Sequence, residues 1–324
     1  MSKQLNQIKQ PITAELREFE KRFRAALRSP VPLMDRITYY IVQRKGKQIR
    51  PMFIFLAAKV CGPTTDNSYV AASMVELLHT ATLVHDDVVD ESHERRGFFS
   101  INALWKNKIA VLVGDYFLSR GLLMALEHKQ YRILEIISLA MQTMAEGELL
   151  QSQKTRRLNI TEDIYYDVIR RKTASLIAAS CEAGAASTTE DTEVHEKMRI
   201  FGEKIGMAFQ IKDDLFDFGF DDVGKPLGID IKEKKMTLPL IYALQQTDRQ
   251  EKRKMLNIIK RHNDDPKRVA EVIDFVRNSG GMQYAKEVMD RYREEAFTIL
   301  RQFPESPARE SLEQLVNFVV ERKK

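Results

Sequence analysis

The feature that most constrains this chain is an apolar stretch, residues 75–97, that carries three aspartates (VELLHTATLVHDDVVDESHERRG). Its apolar side chains leave little room for a solvated face, so it is predicted to form a largely buried helix. Asp86 and Asp90 are four residues apart and point the same way from successive turns, whereas Asp87 lies about 100° around the axis. Two carboxylates about 5 Å apart repel by roughly 3 kcal/mol at an effective dielectric constant near 20, so the cluster requires a counter-charge.

The counter-charge could come from Arg95 and Arg96, which follow the predicted helix directly. Guanidinium groups are equally suited to phosphate oxygens. The first cluster alone therefore leaves the role of the two arginines open, and the rest of the chain must decide it.

A second copy of the pattern lies at residues 206–218 (GMAFQIKDDLFDF). Asp213, Asp214 and Asp217 repeat the spacing of the first cluster, again within an apolar run. One such pattern is often a solvated acidic surface, but two in apolar helices indicate a common task. Mg²⁺ takes one or two carboxylates from protein and the remainder from water and substrate phosphates. The sequence therefore predicts two facing aspartate triads that hold Mg²⁺ and grip a diphosphate.

Composition excludes several classes of protein. The chain has 324 residues, of which 44% are hydrophobic and 30% are charged, as in globular rather than disordered proteins. Its net charge of +5 would suit nucleic acid, but basic and acidic residues are interleaved and no nucleic-acid motif occurs, so no nucleic-acid partner is expected. The two cysteines form no CxxC pattern, which argues against a disulfide framework or structural zinc.

Targeting and membrane segments are not recognised. The N-terminus MSKQLNQIKQ has no apolar signal core, and no run approaches the roughly 18 apolar residues of a membrane span. We therefore expect a cytoplasmic protein without stable membrane insertion.

Apolar residues recur at spacings of three and four along most of the chain, which predicts helices throughout. Within residues 1–30, an amphipathic helix from Leu5 to Leu27 could form a dimer contact or pack on its own core. No Asn-Gly or Asp-Gly hairpin separates alternating segments, so no strand is predicted. The predicted architecture is a single all-α domain over residues 1–324, a bundle of about ten helices around a central active-site cavity.

Local signals predict several helix ends. The first aspartate helix is expected to end near Gly97. The predicted helix starts are a cap at Thr161, a capping box of Thr247 with Gln250, Asp265 before Pro266, and Ser306 before Pro307.

With both aspartate helices placed, the chain closely resembles the trans-type (E)-polyprenyl diphosphate synthases over nearly its full length. The resemblance implies an isoprenoid synthase fold in which two DDxxD motifs hold three Mg²⁺ on the diphosphate of an allylic substrate. Family members are usually dimers, so a homodimer is expected. The metal ligands that the resemblance implies are Asp86, Asp87, Asp90, Asp213, Asp214 and Asp217.

The segments that flank the aspartates match the same family. KGKQIRP resembles the family's GGKxxRP, with Lys45 in place of the first glycine, and implies that Lys47 and Arg50 bind isopentenyl diphosphate. His79 and Arg96 match other residues of that subsite. The matching contacts to the allylic diphosphate are Arg95, Lys172, Thr173, Gln210 and Lys235.

These residue types suit ionisation of an allylic substrate. Cleavage of the carbon–oxygen bond leaves diphosphate with growing negative charge, which Mg²⁺, Lys172, Lys235 and Arg95 would stabilise more than the ground state. The isopentenyl double bond then attacks the allylic cation, and the resemblance assigns the final proton to the departing diphosphate rather than to a side chain. Lys234 replaces a common glycine but no charged contact, so activity is expected to survive. The predicted catalytic residues are Asp86, Asp87, Asp90, Lys172, Asp213 and Lys235.

Each assignment has a structural alternative. Cations such as Lys47 and Arg50 could be solvated surface charges, as most exposed cations are. A lone histidine such as His79 on an apolar helix is more often a hydrogen-bonded core residue. His85 and Trp105 are assigned to packing.

Product length is predicted from the residues one turn before Asp86. By family comparison, short-chain synthases place aromatic side chains at the fourth or fifth position before the first aspartate, where this chain has Thr82 and Ala81. These small side chains leave a tunnel open and predict a heptaprenyl to nonaprenyl product. A floor farther along is predicted among Leu122, Leu123 and Met124.

Three rival functions are weighed against a long-chain synthase. A short-chain farnesyl or geranylgeranyl diphosphate synthase would share all the motifs. A terpene cyclase of the same fold needs no second anion site, so the predicted isopentenyl diphosphate contacts argue against it. A non-catalytic subunit of a heteromeric synthase would not require intact aspartate triads. Transient membrane contact for product release is compatible with each of the synthases.

Overall fold

The computed structural model describes residues 3–43, 46–95, 97–155, 158, 160–219 and 227–321. The described residues are mainly helical, which confirms the all-α prediction. They form sixteen α-helical segments, α1 to α16, and this exceeds about ten because predicted helices are interrupted and short segments occur in loops. The α-helices are Lys3–Lys9, Thr13–Ala26, Pro32–Gln43, Ile49–Cys61, Asp66–Val89, Ile101–Glu127, Tyr131–Thr155, Glu162–Ile169, Ser175–Ala186, Thr192–Phe216, Ile229–Lys232, Leu238–Gln246, Arg249–Arg261, Pro266–Asn278, Gly281–Leu300 and Pro307–Val320.

The chain divides into two compact units, each assembled from separate stretches of sequence. The first comprises Met1–Ser138, Ala179–Met198 and Phe303–Leu312. The second comprises Leu139–Ala178, Arg199–Gln302 and Glu313–Lys324. The single domain expected for residues 1–324 stays a prediction.

The N-terminal helix is interrupted by a 3₁₀ turn, Gln10–Ile12. Pro11 lies in this turn, where its missing N–H cannot continue the α-helical hydrogen-bond ladder. Leu5 and Phe19 are buried on either side of it. The apolar face predicted as a possible dimer contact is therefore buried within the chain's own first unit.

The first aspartate helix, α5, begins with a capping box formed by Thr65 and Ser68, as the side chain of each accepts a backbone N–H near the start. It ends at Val89 and not near Gly97, so that prediction is wrong. Glu91 has a left-handed φ of 50°, which stops helix propagation.

A two-stranded antiparallel hairpin follows α5, contrary to the expectation of no strand. Strand β1 is Glu94–Arg95 and strand β2 is Phe98–Phe99. The hydroxyl of Tyr40 donates to the carbonyl of Phe99 at 2.6 Å and holds the hairpin against α3. No Asn-Gly or Asp-Gly pair marks this turn in the sequence.

Helix α6 packs along α5 at two glycines. A Cβ at Gly114 would lie 2.1 Å from Nε2 of His85, and one at Gly121 would lie 3.6 Å from Leu78. The ring of His85 therefore occupies the space that a side chain at residue 114 would need. This placement agrees with the packing role predicted for His85.

By length and composition, α6 alone among the described helices could cross a membrane. No uninterrupted apolar run of about 18 residues occurs in α6, as expected, because polar residues such as Asp115 and Arg120 interrupt its apolar stretches. A core helix of a soluble protein meets the same criteria, so α6 by itself is weak evidence of a span.

Most predicted helix starts are confirmed. Thr161 accepts the backbone N–H of Ile164 at the start of α8, and Asp265 caps α14, which begins at Pro266. Ser306 accepts the N–H of Arg309 at the start of α16. The capping box predicted for Thr247 and Gln250 is wrong. Asp248 caps α13 instead, because its carboxylate accepts two backbone N–H groups of the first turn at 2.7 and 2.9 Å.

Candidate active site

The first aspartate triad, in the first unit, contains one buried and two exposed carboxylates. Asp87 is buried, and Nε of Arg95 donates to its Oδ1 at 2.7 Å. Asp86 and Asp90 are exposed, at the end of α5 and at its C-cap. Arg95 is therefore a counter-charge of Asp87, and its predicted contact with the allylic diphosphate stays a prediction.

The second triad, in the second unit, contains two buried carboxylates and one partly exposed carboxylate. Asp217 is buried, and its two oxygens accept the backbone N–H groups of Ile229 at 2.7 Å and Asp230 at 3.2 Å. It thereby satisfies two donors at the start of α11, which otherwise have no helical partner. Asp213 is partly exposed and lies within α10.

Asp214 is the buried centre of a hydrogen-bond chain. The hydroxyl of Tyr165 donates to its Oδ2 at 2.7 Å, and Nε2 of Gln210 donates to its Oδ1 at 2.9 Å. The hydroxyl of Thr173 donates to Oε1 of Gln210 at 2.7 Å. The predicted diphosphate contacts Thr173 and Gln210 are thus joined to an aspartate of the triad. The sequence analysis did not identify Tyr165, because a tyrosine in a short amphipathic helix does not indicate a contact with a distant aspartate motif.

Burial disfavours the charged form of the carboxylates in and near the second triad. It raises the pKa of Asp214 to about 8, although the hydrogen bonds from Gln210 and Tyr165 oppose this shift. Burial, followed by the nearby charge of Asp217, raises the pKa of Asp230 to about 6. Burial also raises the pKa of Asp217, although the two backbone N–H groups oppose this shift. A site with these carboxylates favours a bound cation.

Lys172 and Thr173 lie on a π-helical turn, Arg170–Ala174, between α8 and α9. Two glycines make room for it. A Cβ at Gly147 would lie 2.8 Å from the backbone nitrogen of Lys172, and one at Gly206 would lie 2.4 Å from Cα of Ala174. The Nζ of Lys172 donates to Oε1 of Gln151 at 2.7 Å, and the ammonium is half-exposed. Turns of this type recur at functional sites.

Lys235 is held by its own loop. Its Nζ forms an ion pair with Glu233 and lies 3.8 Å from Oδ1 of Asp230. Lys234, which stands in place of a glycine common in the family, has a left-handed φ of 58°. The replacement of glycine by Lys234 therefore places a side chain in a backbone conformation that favours glycine. The position of Lys235 is still defined by its acidic neighbours.

The predicted isopentenyl diphosphate contacts lie in the first unit. Lys47 is exposed just before α4, Arg50 lies in the first turn of α4, and His79 lies on α5, two turns before Asp86. Their convergence on one substrate stays a prediction. The assignments to Arg96 and Lys45 fall outside the described residues.

The two predicted chain-length residues lie on different faces of α5. Thr82 is four residues before Asp86 and shares its face, whereas Ala81 shares the face of Leu78 and His85, which contact α6. Ala81 is fully buried. Thr82 is therefore the better placed of the two to meet a substrate held at the aspartates.

The suggested tunnel floor is only partly supported by exposure. Leu122 and Leu123 lie at the surface of the chain, whereas Met124 is buried. Met124 is the remaining candidate of the three within the single chain.

A sequence model described as polyprenyl synthetase matches residues 31–276, which is most of the chain. The chain belongs to the polyprenyl synthetase family. This family member is 36% identical over 317 residues to the all-trans-nonaprenyl-diphosphate synthase (geranyl-diphosphate specific) of Rhodobacter capsulatus, with 96% of both chains covered. It is thus an enzyme, a trans-prenyltransferase.

Solved structures of the family superpose over the whole polyprenyl synthetase chain. A decaprenyl diphosphate synthase from Rhodobacter capsulatus has a TM-score of 0.91 at 33% identity, with 99% of both chains covered. A geranylgeranyl pyrophosphate synthase from Bacteroides thetaiotaomicron has a TM-score of 0.84 at 38% identity, covering 99% of this chain and 100% of the other. The isoprenoid synthase fold is therefore confirmed.

The donor set of this polyprenyl synthetase fits Mg²⁺. Among the described residues, no group of three or more His, Cys, Asp or Glu side chains is arranged to enclose a metal ion. Mg²⁺ needs only one or two carboxylates and completes its shell with water and phosphate. The exposed carboxylates of Asp86 and Asp90, four residues apart, meet that requirement.

We predict that Asp230→Asn stabilises the metal-free protein in a pH-dependent way. The pKa of Asp230 is raised from 3.8 to about 6, so between these values the folded state binds more protons than the unfolded state and its stability falls as pH rises. Asparagine cannot ionise and avoids this loss. In chelator, the gain in melting temperature over the unmodified protein should be near zero at about pH 4 and largest above about pH 6.

Asp274→Asn is the matched control, because Asp274 is an exposed aspartate on α14 of the same unit. A gain for Asp230→Asn that is constant across pH would contradict the assignment of the raised pKa to Asp230.

Proposed function

We propose that this prenyltransferase condenses isopentenyl diphosphate with an allylic prenyl diphosphate, releases diphosphate and forms a long-chain all-trans product in the heptaprenyl to nonaprenyl range. The observation that carries the proposal is the pair of aspartate triads, each embedded in an apolar helix with part of its carboxylates accessible. The nonaprenyl-diphosphate relative supports the long product. The geranylgeranyl relative keeps a short-chain product as the alternative.

We propose further that the six aspartates divide into metal ligands and residues that organise the site. Asp86, Asp90 and Asp213 are accessible and suit direct binding of Mg²⁺, with three ions expected from the resemblance. The other three carboxylates are buried and accept hydrogen bonds from protein donors, so we propose that they organise the site. This set is Asp87, Asp214 and Asp217.

The side chains of the site support ionisation of the allylic substrate. Bound Mg²⁺ would supply Lewis-acid stabilisation of the diphosphate oxygens. Lys172 and Lys235 bring fixed positive charge toward the departing diphosphate, and this charge binds the product of cleavage more strongly than the ester. Buried apolar faces of the helices exclude water, which would otherwise quench the allylic cation. The departing diphosphate accepts the final proton, so no side chain is assigned as a base.

We expect Asp90→Asn and Asp213→Asn each to lower kcat by about 100-fold or more, because each removes one of the carboxylates proposed to bind Mg²⁺. Both should keep their melting temperature, since neither carboxylate is buried. The measurement is turnover of the purified chain alone with Mg²⁺, geranyl diphosphate and isopentenyl diphosphate.

Glu91→Gln, beside Asp90 and also exposed, is the control and should retain activity. Full activity of both aspartate variants would remove the proposed metal site. If the unmodified chain is inactive alone but is activated by a second protein, it is a subunit of a heteromeric synthase instead.

The chain-length residues give a second test. Thr82→Phe should shorten the product, because the added ring lies on the face of α5 that carries Asp86. Ala81→Phe should also shorten it but lower the melting temperature, because a large side chain must enter the contact with α6. Product lengths are read by chromatography after dephosphorylation.

Thr80→Phe makes the same change on the opposite side of α5 and should leave the product unchanged. If Thr82→Phe also leaves it unchanged, the growing chain does not pass this turn. A farnesyl or geranylgeranyl product from the unmodified chain would favour the short-chain alternative.

We propose a homodimer that forms through α6 rather than through the N-terminal helix. Six apolar residues of α6 are exposed over several turns, with the exposed polar residues Asp115 and Ser119 among them. Exposed apolar patches mark interaction sites. Its exposed apolar residues are Leu104, Val111, Leu112, Leu122, Leu123 and Leu126.

Replacement of Leu122 and Leu126 together by aspartate should convert the dimer to a monomer, as measured by light scattering after size exclusion. The change places two charges in a surface that must be desolvated on association. Val31→Asp, at an exposed apolar residue outside α6, is the control and should remain dimeric. A dimer that survives the double replacement would place the interface elsewhere.

The cytoplasm remains the proposed compartment, as expected from the cysteine usage. Cys61 and Cys181 form no disulfide in the structure, and Cys181 is fully buried. Membrane contact during product release is proposed only as transient.

A further inference from the structure

Tyr165 lies outside both aspartate motifs but is joined to the second one. It is buried on α8, and its hydroxyl donates to Oδ2 of Asp214, which is also buried. Helix α8 is anchored at its start by Thr161. The backbone N–H of Ile164 donates to the side chain of Thr161, and the backbone N–H of Tyr165 donates to its carbonyl. The direction of the tyrosine is therefore set by a defined helix start and by a defined acceptor.

The hydrogen bonds define the side-chain orientations of Asp214 and Gln210. One oxygen of Asp214 accepts from Tyr165 and the other accepts from Nε2 of Gln210. Because the amide nitrogen of Gln210 points toward Asp214, its oxygen must point the other way, where it accepts from the hydroxyl of Thr173. The chain of donors therefore runs in one direction, from Thr173 through Gln210 to Asp214.

Removal of the Tyr165 hydroxyl would leave a buried carboxylate oxygen without this donor. Buried acceptors are rarely left unsatisfied, so the carboxylate would turn to recover a donor. Gln210 would follow Asp214, and Thr173 would lose its acceptor or change its rotamer. The disturbance would therefore reach the π-helical turn that carries Lys172.

We propose that Tyr165 is a positioning residue of the allylic diphosphate site. Its hydroxyl holds Asp214 as a buried acceptor, and Asp214 in turn orients Gln210 and Thr173 for the substrate. Asp214 acts as an anchor and not as a metal ligand. The proposal deepens, and rests on, the proposed prenyl transfer, and Tyr165 itself does not touch the substrate.

The next residue on α8 provides a matched control. The hydroxyl of Tyr166 donates to Oε1 of Glu162 at 2.8 Å, a bond of nearly the same length to a carboxylate on the same helix. Glu162 also accepts from the hydroxyl of Tyr284. Tyr166→Phe therefore removes a tyrosine–carboxylate hydrogen bond without touching the aspartate triad.

The experiment compares Tyr165→Phe with Tyr166→Phe in the full-length chain. KM for geranyl diphosphate and KM for isopentenyl diphosphate are measured separately, and binding of inorganic diphosphate with Mg²⁺ is measured by calorimetry. Tyr165→Phe should weaken diphosphate binding and raise KM for geranyl diphosphate about tenfold, as expected when a buried acceptor is left unsatisfied. KM for isopentenyl diphosphate should change less than about twofold, and Tyr166→Phe should change neither.

A purely structural role would lower the melting temperature without this separation of the two KM values. The proposal is overturned if Tyr165→Phe and Tyr166→Phe have the same kinetic and binding constants, or if both KM values rise equally. An unmodified chain without turnover would instead remove the proposed function itself, so the two failures are distinguishable.

Asp214→Asn supplies a second variant in case Tyr165→Phe fails to fold. As an anchor, Asp214 should be replaceable with about a tenfold rise in KM for geranyl diphosphate and a kcat within about threefold of the unmodified chain. A loss of kcat as large as that of Asp213→Asn would identify Asp214 as a metal ligand and would contradict the proposal.

Discussion

Mutual repulsion among carboxylates held in apolar helices is the constraint on which the rest of this structure depends. An aspartate in such a helix must be neutralised by protein, neutralised by a bound cation, or protonated. The chain uses the first solution for Asp87 through Arg95 and for Asp217 through the start of α11. Asp86, Asp90 and Asp213 are the more accessible aspartates, which a bound cation can reach. The proposed division of each motif into metal ligands and site-organising aspartates thus follows from burial, which the sequence alone does not reveal.

Charge in the second unit is concentrated within a short stretch around α11. The charges of Asp217, Glu233 and Lys235 all act on the pKa of Asp230. One lysine cannot balance three carboxylates. A cation bound to this excess negative charge would stabilise the region as well as serve its chemistry.

The sequence was sufficient for the fold class and for the motifs, because both depend on short-range spacing. Residues four apart share a helix face wherever the helix lies, so the pairing of Asp86 with Asp90 could be predicted. The end of α5 could not, since it depends on the left-handed backbone of Glu91, a residue that rarely adopts that conformation. The division of the aspartates into buried and accessible ones also could not be predicted from the sequence. Tyr165 is 49 residues from Asp214, and nothing local to either residue records their contact.

The π-helical turn Arg170–Ala174 sets the angular phase between two helices that would otherwise be continuous. A turn closed by bonds between residues five apart contains one residue more than an α-helical turn, and one residue corresponds to about 100° of rotation. Loss of a single residue from this segment would restore a regular helix and swing α8 around its axis. The hydroxyl of Tyr165 would then face away from Asp214, although every functional side chain would still be present. Alignments of related chains that tolerate a gap here would therefore hide a change of geometry behind an intact set of motifs.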